Sequence, residues 1–206
     1  MKLIFVRHGQ TEENANGIIQ GHLHGKLSQV GIKQAKIAAD ALKLEHIDIA
    51  YVSELARAKD TANEIMKFHP RVPVVYLPEL KERHYGELQG KRLTDEEMEK
   101  LDKDEFRPGF RPLGGESTEE LYNRVFGMLE KILSKHKNDT VIIVSHSGVG
   151  MAIAAILKNS SIEDVANNSR SMFKNGEIKI FEIESLKGTR LNAGHQSGTQ
   201  RKKSLT

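Results

Sequence analysis

Two histidines in this chain follow apolar runs, at positions where they could act on a phosphoryl group. His8 comes directly after Arg7 and the run Leu3–Val6, and His146 follows the β-branched run Thr140–Ser145. Arginine presents paired planar donors that match phosphoryl oxygens, and it keeps its charge at neutral pH. Neighbouring cations disfavour the protonated imidazole, so we expect His8 to be neutral and nucleophilic near pH 7. These residue types indicate phosphoryl transfer through a histidine.

The elements that carry these residues should bring them to one edge of a sheet. A third apolar run, Ile49–Ser53, precedes Arg57, which falls in the first turns of a predicted helix. Strands that alternate with helical segments of about ten to fifteen residues usually pair in parallel. Ligands of open α/β sheets bind outside the carboxyl ends of such strands. We therefore expect four side chains to converge there: Arg7, His8, Arg57 and His146.

The remaining hydrophobic patterns predict the α/β class, with three α/β/α layers around a mostly parallel central sheet. Apolar stripes at helical spacing predict helices from Ser28 to Leu42 and over 56–68, 118–135 and 161–168. Val72–Leu77 is predicted as a further strand. Alternation around Asn175-Gly176, within 172–183, predicts an antiparallel hairpin at the end of the domain.

The length of 206 residues fits one domain, which we place at residues 1–185. Residues 186–206 carry five basic side chains, no acid and few apolar residues, so we expect a disordered tail. Since the whole chain has a net charge of +3, the preceding residues carry about −2. This distribution argues against nucleic acid as a partner of the domain and leaves only an electrostatic contact of the tail.

The segment 78–116, called the lid segment below, has little apolar periodicity and many charges. Such a long excursion usually forms a lid or a binding loop, although a surface insertion without function is the alternative. Within it, Thr94–Glu105 is predicted as a solvated helix above the site. Its cations favour a substrate with a second anionic group: Arg83, Lys91, Arg92, Arg107 and Arg111.

The composition of the chain indicates its cellular compartment and excludes some kinds of catalytic group. The chain has no cysteine, which suits a reducing compartment and removes thiolate nucleophiles. There is no apolar stretch of about 20 residues and the start does not read as a signal peptide, so we expect a cytoplasmic protein without a membrane partner. His22 and His24 lack nearby acids, so no metal site is predicted, and no cofactor is expected.

The motif Arg7-His8-Gly9-Gln10-Thr11, with Asn14 following, resembles the signature of the histidine phosphatase superfamily, the phosphoglycerate mutase-like proteins. Four further segments resemble the family's other motifs and occur in the family's order: 53–62, 80–90, 114–117 and 144–148. The resemblance covers about residues 1–184 and implies a phosphoglycerate mutase-like catalytic domain of the phosphatase branch.

The resemblance also implies roles for individual residues. His8 would attack phosphorus and carry a transient phosphohistidine, and Glu82 would protonate the leaving oxygen and then activate water. The phosphoryl oxygens would be held by Arg7, Arg57 and His146. Three other carboxylates remain as alternatives to Glu82 for the proton donor: Glu79, Glu87 and Glu116. Six further positions are expected to contact the substrate: Thr11, Asn14, Gly21, Arg83, Tyr85 and Ser147.

Two departures from the family pattern bear on the reaction. His24 stands where many relatives carry aspartate, and Ser28 stands where they carry threonine, which weakens the predicted substrate contacts of this loop. Only 24 residues separate Gly90 from Gly115, whereas glycolytic mutases resemble this pattern with a longer insertion that encloses the substrate. A shorter lid admits water and therefore favours hydrolysis.

The sequence thus predicts a cofactor-free phosphomonoesterase for a small phosphorylated metabolite, such as a phospho-sugar or phospho-carboxylic acid. Two alternatives remain at this stage. The chain could be a bisphosphoglycerate-dependent phosphoglycerate mutase, or a non-catalytic module that binds phospho-ligands or is tethered to nucleic acid by its tail. A homodimer is left open.

Overall fold

A five-stranded sheet forms the centre of the computed structural model, which describes residues 1–169, 173–186 and 190–191. Its strand order is β3-β2-β4-β1-β5. The strands are β1 (Lys2–Arg7), β2 (Ile49–Ser53), β3 (Val74–Leu77), β4 (Thr140–Ser145) and β5 (Ile178–Glu182). The first four run parallel, and β5 pairs antiparallel with β1. The predicted mostly parallel sheet is confirmed.

Seven α-helices surround this sheet in the described ranges. They are α1 (Glu12–Ala15), α2 (Gln29–Leu42), α3 (Ala56–Met66), α4 (Asp95–Asp104), α5 (Thr118–Lys135), α6 (Ser147–Lys158) and α7 (Ile162–Ser169). Two short 3₁₀ turns lie at Pro78–Leu80 and Gly86–Leu88. The short α1 forms because Thr11 and Asn14 cap each other's backbone N–H groups.

The sheet is buried on both faces, as three layers require. Alternate residues of β1 point to opposite sides: Ile4 and Val6 pack against α2 and α3, while Leu3 and Phe5 pack against α5 and α6. All four side chains are fully buried. Helices on both faces explain why the central strands are continuous apolar runs rather than alternating ones. Within the described residues, no helix combines the length and apolarity needed to cross a bilayer.

The C-terminal part of the sheet differs from the predicted hairpin. Asn175 and Gly176 do form a turn, but Phe173 lies in a 3₁₀ turn rather than a strand, and 170–172 lie outside the described residues. The strand after the turn pairs with β1 because that edge has open backbone groups. The Gly176 N–H donates to the carbonyl oxygens of Arg7 and His8 at 3.1 and 3.2 Å. The turn therefore braces the strand end that carries His8.

Two other boundaries also shift. The strand predicted from Val72 begins at Val74. In the predicted disordered tail, the N–H and C=O of Leu191 bond the side chain of Asn123 on α5, so disorder from residue 186 does not hold at this position. Residues 187–189 and 192–206 of the predicted tail lie outside the described residues.

The first turn of α2 lies directly against the loop that follows His8. A Cβ atom on Gly31 would lie 1.9 Å from the Gln10 carbonyl oxygen, and one on Gly9 would lie 2.3 Å from the Gly31 carbonyl oxygen. The two backbones can approach this closely only because neither residue has a side chain. Helix α2 thereby supports the loop next to His8.

Gly31→Ala tests this contact. Although alanine gains about 1 kcal/mol of helix propensity, the backbone clash should lower the free energy of unfolding by about 1–3 kcal/mol overall. Urea unfolding followed by circular dichroism measures the change. Ile37→Ala on the same helix is the control, because Ile37 is 68% exposed and its loss should cost less than about 0.5 kcal/mol. An unchanged midpoint for Gly31→Ala would contradict the argument.

Candidate active site

His8 lies at the carboxyl end of β1 and is 2% exposed. Its Nδ1 lies 2.7 Å from the Gly9 carbonyl oxygen, which can only accept a hydrogen bond, so Nδ1 carries the proton. Nε2 then keeps its lone pair, and the Arg57 Nε–H donates to it over 3.2 Å. The local geometry therefore selects the tautomer in which Nε2 is unprotonated.

Burial keeps this imidazole neutral. Desolvation lowers the pKa of His8 well below its usual range, and the charges of Arg57 and Arg7 lower it further. His146 is also fully buried, and desolvation followed by the charge of Arg57 lowers its pKa well below the usual range. Both rings are therefore uncharged at neutral pH, which leaves one of them free to act as a nucleophile.

Arg57 supplies a buried positive charge from the first turn of α3, where it is 1% exposed. Its Nη1 donates to the carbonyl oxygens of Leu23 and His24 at 2.5 and 3.3 Å, and its Nη2 donates to that of Gly21 at 2.8 Å. Burial lowers the pKa of Arg57 to about 10, so the side chain stays charged at neutral pH. Carbonyl oxygens satisfy its N–H groups without cancelling its charge, so the charge can attract an anion.

His146 packs beside His8, with 5.0 Å between ring centroids. It precedes α6, and its Nε2 lies 2.8 Å from the Ser53 hydroxyl at the end of β2. The buried Nδ1 of His146 and Nε of Arg7 have no hydrogen-bond partner in the described part of the chain. Buried polar atoms are normally paired, and Arg7 lines the cavity described below, so its Nε fits a contact to a ligand oxygen.

Glu82 follows the first 3₁₀ turn, and its carboxylate lies at the start of α6. It accepts the Gly148 N–H at 3.1 Å and the Arg83 N–H at 2.9 Å. Backbone donors at a helix N-terminus stabilise an anion. Burial lowers the pKa of Arg7 and of Arg57, and Glu82 is the main charge that opposes this in each case. The carboxylate therefore lies within electrostatic reach of both cations.

A cavity of about 300 Å³ connects these groups. Eight of the predicted site residues line it: Arg7, His8, Asn14, Gly21, Arg57, Glu82, Tyr85 and Ser147. His146 is not on the wall but packs against the His8 ring. The structure thus brings together the residues that the resemblance singled out at opposite ends of the sequence.

Thr11 and Arg83, for which substrate contacts were predicted, do not line the cavity. Thr11 is fully buried, and its hydroxyl accepts the Asn14 N–H and the Gln20 side chain, so it supports two residues that do line the cavity. Arg83 is fully buried as well, and its guanidinium donates to the Glu105 carbonyl oxygen. It also lies 5.2 Å from the centre of the Phe106 ring. Arg83 therefore holds the lid segment.

The other lid cations also fail to reach the cavity. Lys91 and Arg92 are exposed, Arg107 pairs with Asp104 at 2.6 Å, and Arg111 pairs with Glu120. In their place, the lid segment contributes residues that we did not predict: Met98, Leu101, Glu105 and Phe106. Spacing alone could have indicated the first three, because positions 98, 101 and 105 share one face of a helix.

Arg124 on α5 anchors the loop that carries Glu82. Its Nη1 donates to the carbonyl oxygens of Glu79 and Lys81, and its Nε and Nη2 pair with the Glu116 carboxylate at 2.7 Å each. These contacts hold the Glu116 carboxylate against Arg124, and Glu116 does not line the cavity. Glu79 and Glu87, the other alternative proton donors, do not line the cavity either. Glu82 is therefore the predicted candidate that the geometry favours, and Arg124 positions it.

Comparisons with known proteins agree with this site. The profile of the histidine phosphatase superfamily (branch 1) matches residues 3–192. The chain is 42% identical over 194 residues to the metal-independent phosphoserine phosphatase of Arabidopsis thaliana, covering 90% of this chain and 78% of that protein. It is 32% identical over 190 residues to the 2,3-bisphosphoglycerate-dependent phosphoglycerate mutase of Cytophaga hutchinsonii, covering 89% and 88%.

A solved structure adds a likeness of fold. A mycobacterial glucosyl-3-phosphoglycerate phosphatase superposes with a TM-score of 0.70 at 26% identity, covering 81% of this chain and 83% of that one. The chain therefore belongs to the histidine phosphatase superfamily. It is a phosphomonoesterase of that family, as the sequence predicted.

The two buried histidines predict a loss of stability in acid. Their pKa values are lowered in the folded protein but return to about 6.5 on unfolding, so below that pH the unfolded chain binds more protons. The free energy of unfolding should therefore fall as pH drops below about 6.5, by up to about 1.4 kcal/mol per pH unit for each histidine.

Urea titrations at about pH 7.5 and pH 5.5 measure this dependence. The double variant His8→Gln/His146→Gln should show a smaller loss between the two pH values. The exposed His46 provides a matched control, and His46→Gln should behave as the wild type. A double variant with the wild-type pH dependence would contradict the argument.

Arg124→Lys tests whether Arg124 positions Glu82. Lysine keeps the charge but cannot make the paired contacts, so we expect kcat/KM for an alkyl phosphate to fall about 10- to 100-fold. The loss for p-nitrophenyl phosphate should be smaller, because its leaving group needs little protonation. Arg111→Lys, on an exposed arginine, is the control. Equal losses on both substrates would indicate a general structural effect instead.

Proposed function

We propose that this enzyme hydrolyses a small phosphorylated metabolite through a phosphohistidine on His8. The observation that carries the proposal is the unprotonated Nε2 of His8 in a cavity that Arg7 and Arg57 also line. The Nε2 lone pair attacks phosphorus while the bond from phosphorus to the ester oxygen breaks, and Glu82 protonates the leaving oxygen. Water then attacks the phosphohistidine, Glu82 takes its proton, and phosphate leaves.

The charges around His8 favour binding of a phosphoryl dianion. At an effective dielectric constant near 20, a cation about 4 Å from one negative charge gains on the order of 4 kcal/mol. A phosphoryl oxygen would also accept from Arg7 Nε, a buried atom of a cavity residue that has no partner among the described residues. In the complex, the Arg57 Nε–H would turn from His8 to a phosphoryl oxygen, which frees the nucleophilic lone pair.

Hydrolysis is favoured over mutase activity by the charge of the lid segment. A bisphosphoglycerate mutase must hold a second phosphate and a carboxylate, which requires further cations around the substrate. In the described residues, the lid segment adds no cation to the cavity wall and adds the carboxylate of Glu105. The cavity is therefore better suited to a monophosphate than to a bisphosphate.

The substrate should be small, since the cavity has a volume of about 300 Å³. The name of the Arabidopsis thaliana relative, a phosphoserine phosphatase, supports a substrate of the size of a phosphorylated amino acid. We place the enzyme in the cytoplasm as part of this proposal, because a cysteine-free chain suits a reducing compartment.

Substitutions on the cavity test the assigned roles. His8→Ala should abolish phosphate release, and alanine at Arg7, Arg57 or His146 should cost several orders of magnitude in kcat/KM. Asn14→Ala should cost less, because it removes a neutral contact. Phosphate release from a panel of phosphorylated metabolites gives the rates, and acid-labile, alkali-stable label trapped from a radiolabelled substrate reports the phosphohistidine.

Two results would overturn the proposal. One is a rate for His8→Ala comparable to that of the wild type. The other is transfer of labelled phosphate between phosphoglycerates in place of its release to water, which would indicate a mutase.

A further inference from the structure

A histidine outside the cavity wall bonds the backbone of the candidate acid. His22 is half-buried, and its ring Nε2 lies 2.8 Å from the carbonyl oxygen of Glu82. Because a carbonyl oxygen can only accept a hydrogen bond, Nε2 carries the proton and donates it. His22 does not line the cavity, so a role in the reaction has to act through Glu82.

This hydrogen bond reaches the peptide group that orients the carboxylate. The C=O of Glu82 and the N–H of Arg83 belong to one planar peptide group, so holding the C=O also fixes the direction of the N–H. That N–H donates to Oε1 of Glu82 at 2.9 Å. A donor on the C=O also polarises the peptide group and strengthens the hydrogen bond that its N–H makes. His22 therefore acts on the Glu82 carboxylate through a single peptide group.

His22 is itself held by the loop that binds the buried cation. The carbonyl oxygens of Gly21 and Leu23, on either side of it, accept from the Arg57 guanidinium at 2.8 and 2.5 Å. The backbone N–H of His22 donates to Oε1 of Gln89 at 2.8 Å. Since the backbone is fixed before, at and after this residue, the imidazole is a rigid link between the loop that binds Arg57 and the loop that carries the acid.

The His22 ring makes this link without adding a charge. Burial lowers the pKa of His22, and the hydrogen bond to the Glu82 carbonyl opposes this only in part, so the ring is neutral near pH 7. A cation beside a carboxylate favours its ionised form. A neutral N–H donor instead orients the loop without hindering the protonated carboxyl that the acid step needs.

Given the proposed function, on which this inference rests, we infer that His22 is a positioning residue for the transfer of a proton from Glu82 to the leaving oxygen. Its Nε2–H fixes the peptide group between Glu82 and Arg83 and ties it to the loop that binds Arg57. The acid is thereby held at a constant position relative to the cation that binds the phosphoryl group. Arg124 supports the same loop, but its Nη2 lies 3.5 Å from the Glu82 carbonyl oxygen, so His22 is the closer donor.

Three phosphomonoesters with different leaving groups test the inference on the full-length enzyme: ethyl, phenyl and p-nitrophenyl phosphate. His22→Phe keeps a ring of similar size but has no donor. Its kcat for ethyl phosphate should fall about 10- to 100-fold with little change in KM, because only the transition state needs the proton. The loss should be smaller for phenyl phosphate and less than about 3-fold for p-nitrophenyl phosphate, whose leaving group needs little protonation.

Two further variants control for structural effects. The amide of His22→Gln can place an N–H near the position of Nε2, so this variant should recover most of the loss on ethyl phosphate. His69→Phe is the matched control, because the His69 Nε2 lies 3.0 Å from the Leu42 carbonyl oxygen and His69 does not line the cavity. It should keep the wild-type ratios among the three esters. Inhibition by inorganic phosphate should be the same in all four proteins, since the cations that bind phosphate are unchanged.

The outcomes separate this inference from the proposed function. Equal losses on the three esters in His22→Phe, or a weakened inhibition by phosphate, would indicate a general structural role and overturn the inference. A dependence on the leaving group in His22→Gln as steep as that in His22→Phe would overturn the role of the Nε2–H. Failure of the wild type to hydrolyse any of the three esters, with no label on His8, would instead overturn the proposed function.

Discussion

The site depends on a contact between a buried guanidinium and a neutral imidazole. Burial of a cation is costly unless its donors are satisfied, and here the carbonyl oxygens of the 21–24 loop satisfy Arg57 without neutralising it. Burial and then the charge of this cation lower the pKa of the neighbouring His8, so its ring is unprotonated. The buried pair therefore provides both a positive charge for a phosphoryl group and a lone pair that can attack it.

Parallel strands that end at the same edge of the sheet bring the residues of this contact together. Strand β1 lies beside β4, and β4 lies beside β2, so the segments that follow these strands deliver His8, His146 and Arg57 to the same place. Supports then come from distant parts of the chain: Gly31 packs against the loop after β1, and the turn at Gly176 bonds the end of β1. Each support restricts the orientation of the His8 ring without contacting it.

Two different parts of the molecule build the cavity wall. The sheet edge presents cations and imidazoles, which suit any phosphomonoester, while the lid segment adds Tyr85 and residues of α4 and the turn after it to the cavity wall. Glu82 also belongs to the lid segment, but its carboxylate is bound to the first turn of α6, and Arg124 anchors its loop.

The sequence by itself determined most of the strands and helices and singled out the candidate reacting residues that the fold brings together. Hydrophobic period and capping are local signals, so α5 and the Ser28 cap of α2 appear as predicted. Tertiary structure alone decided that Arg83 is buried, that the lid cations point away from the cavity, and that β5 pairs with β1. These outcomes depend on which distant surfaces meet, and the pattern of neighbouring residues along the chain contains no information about that.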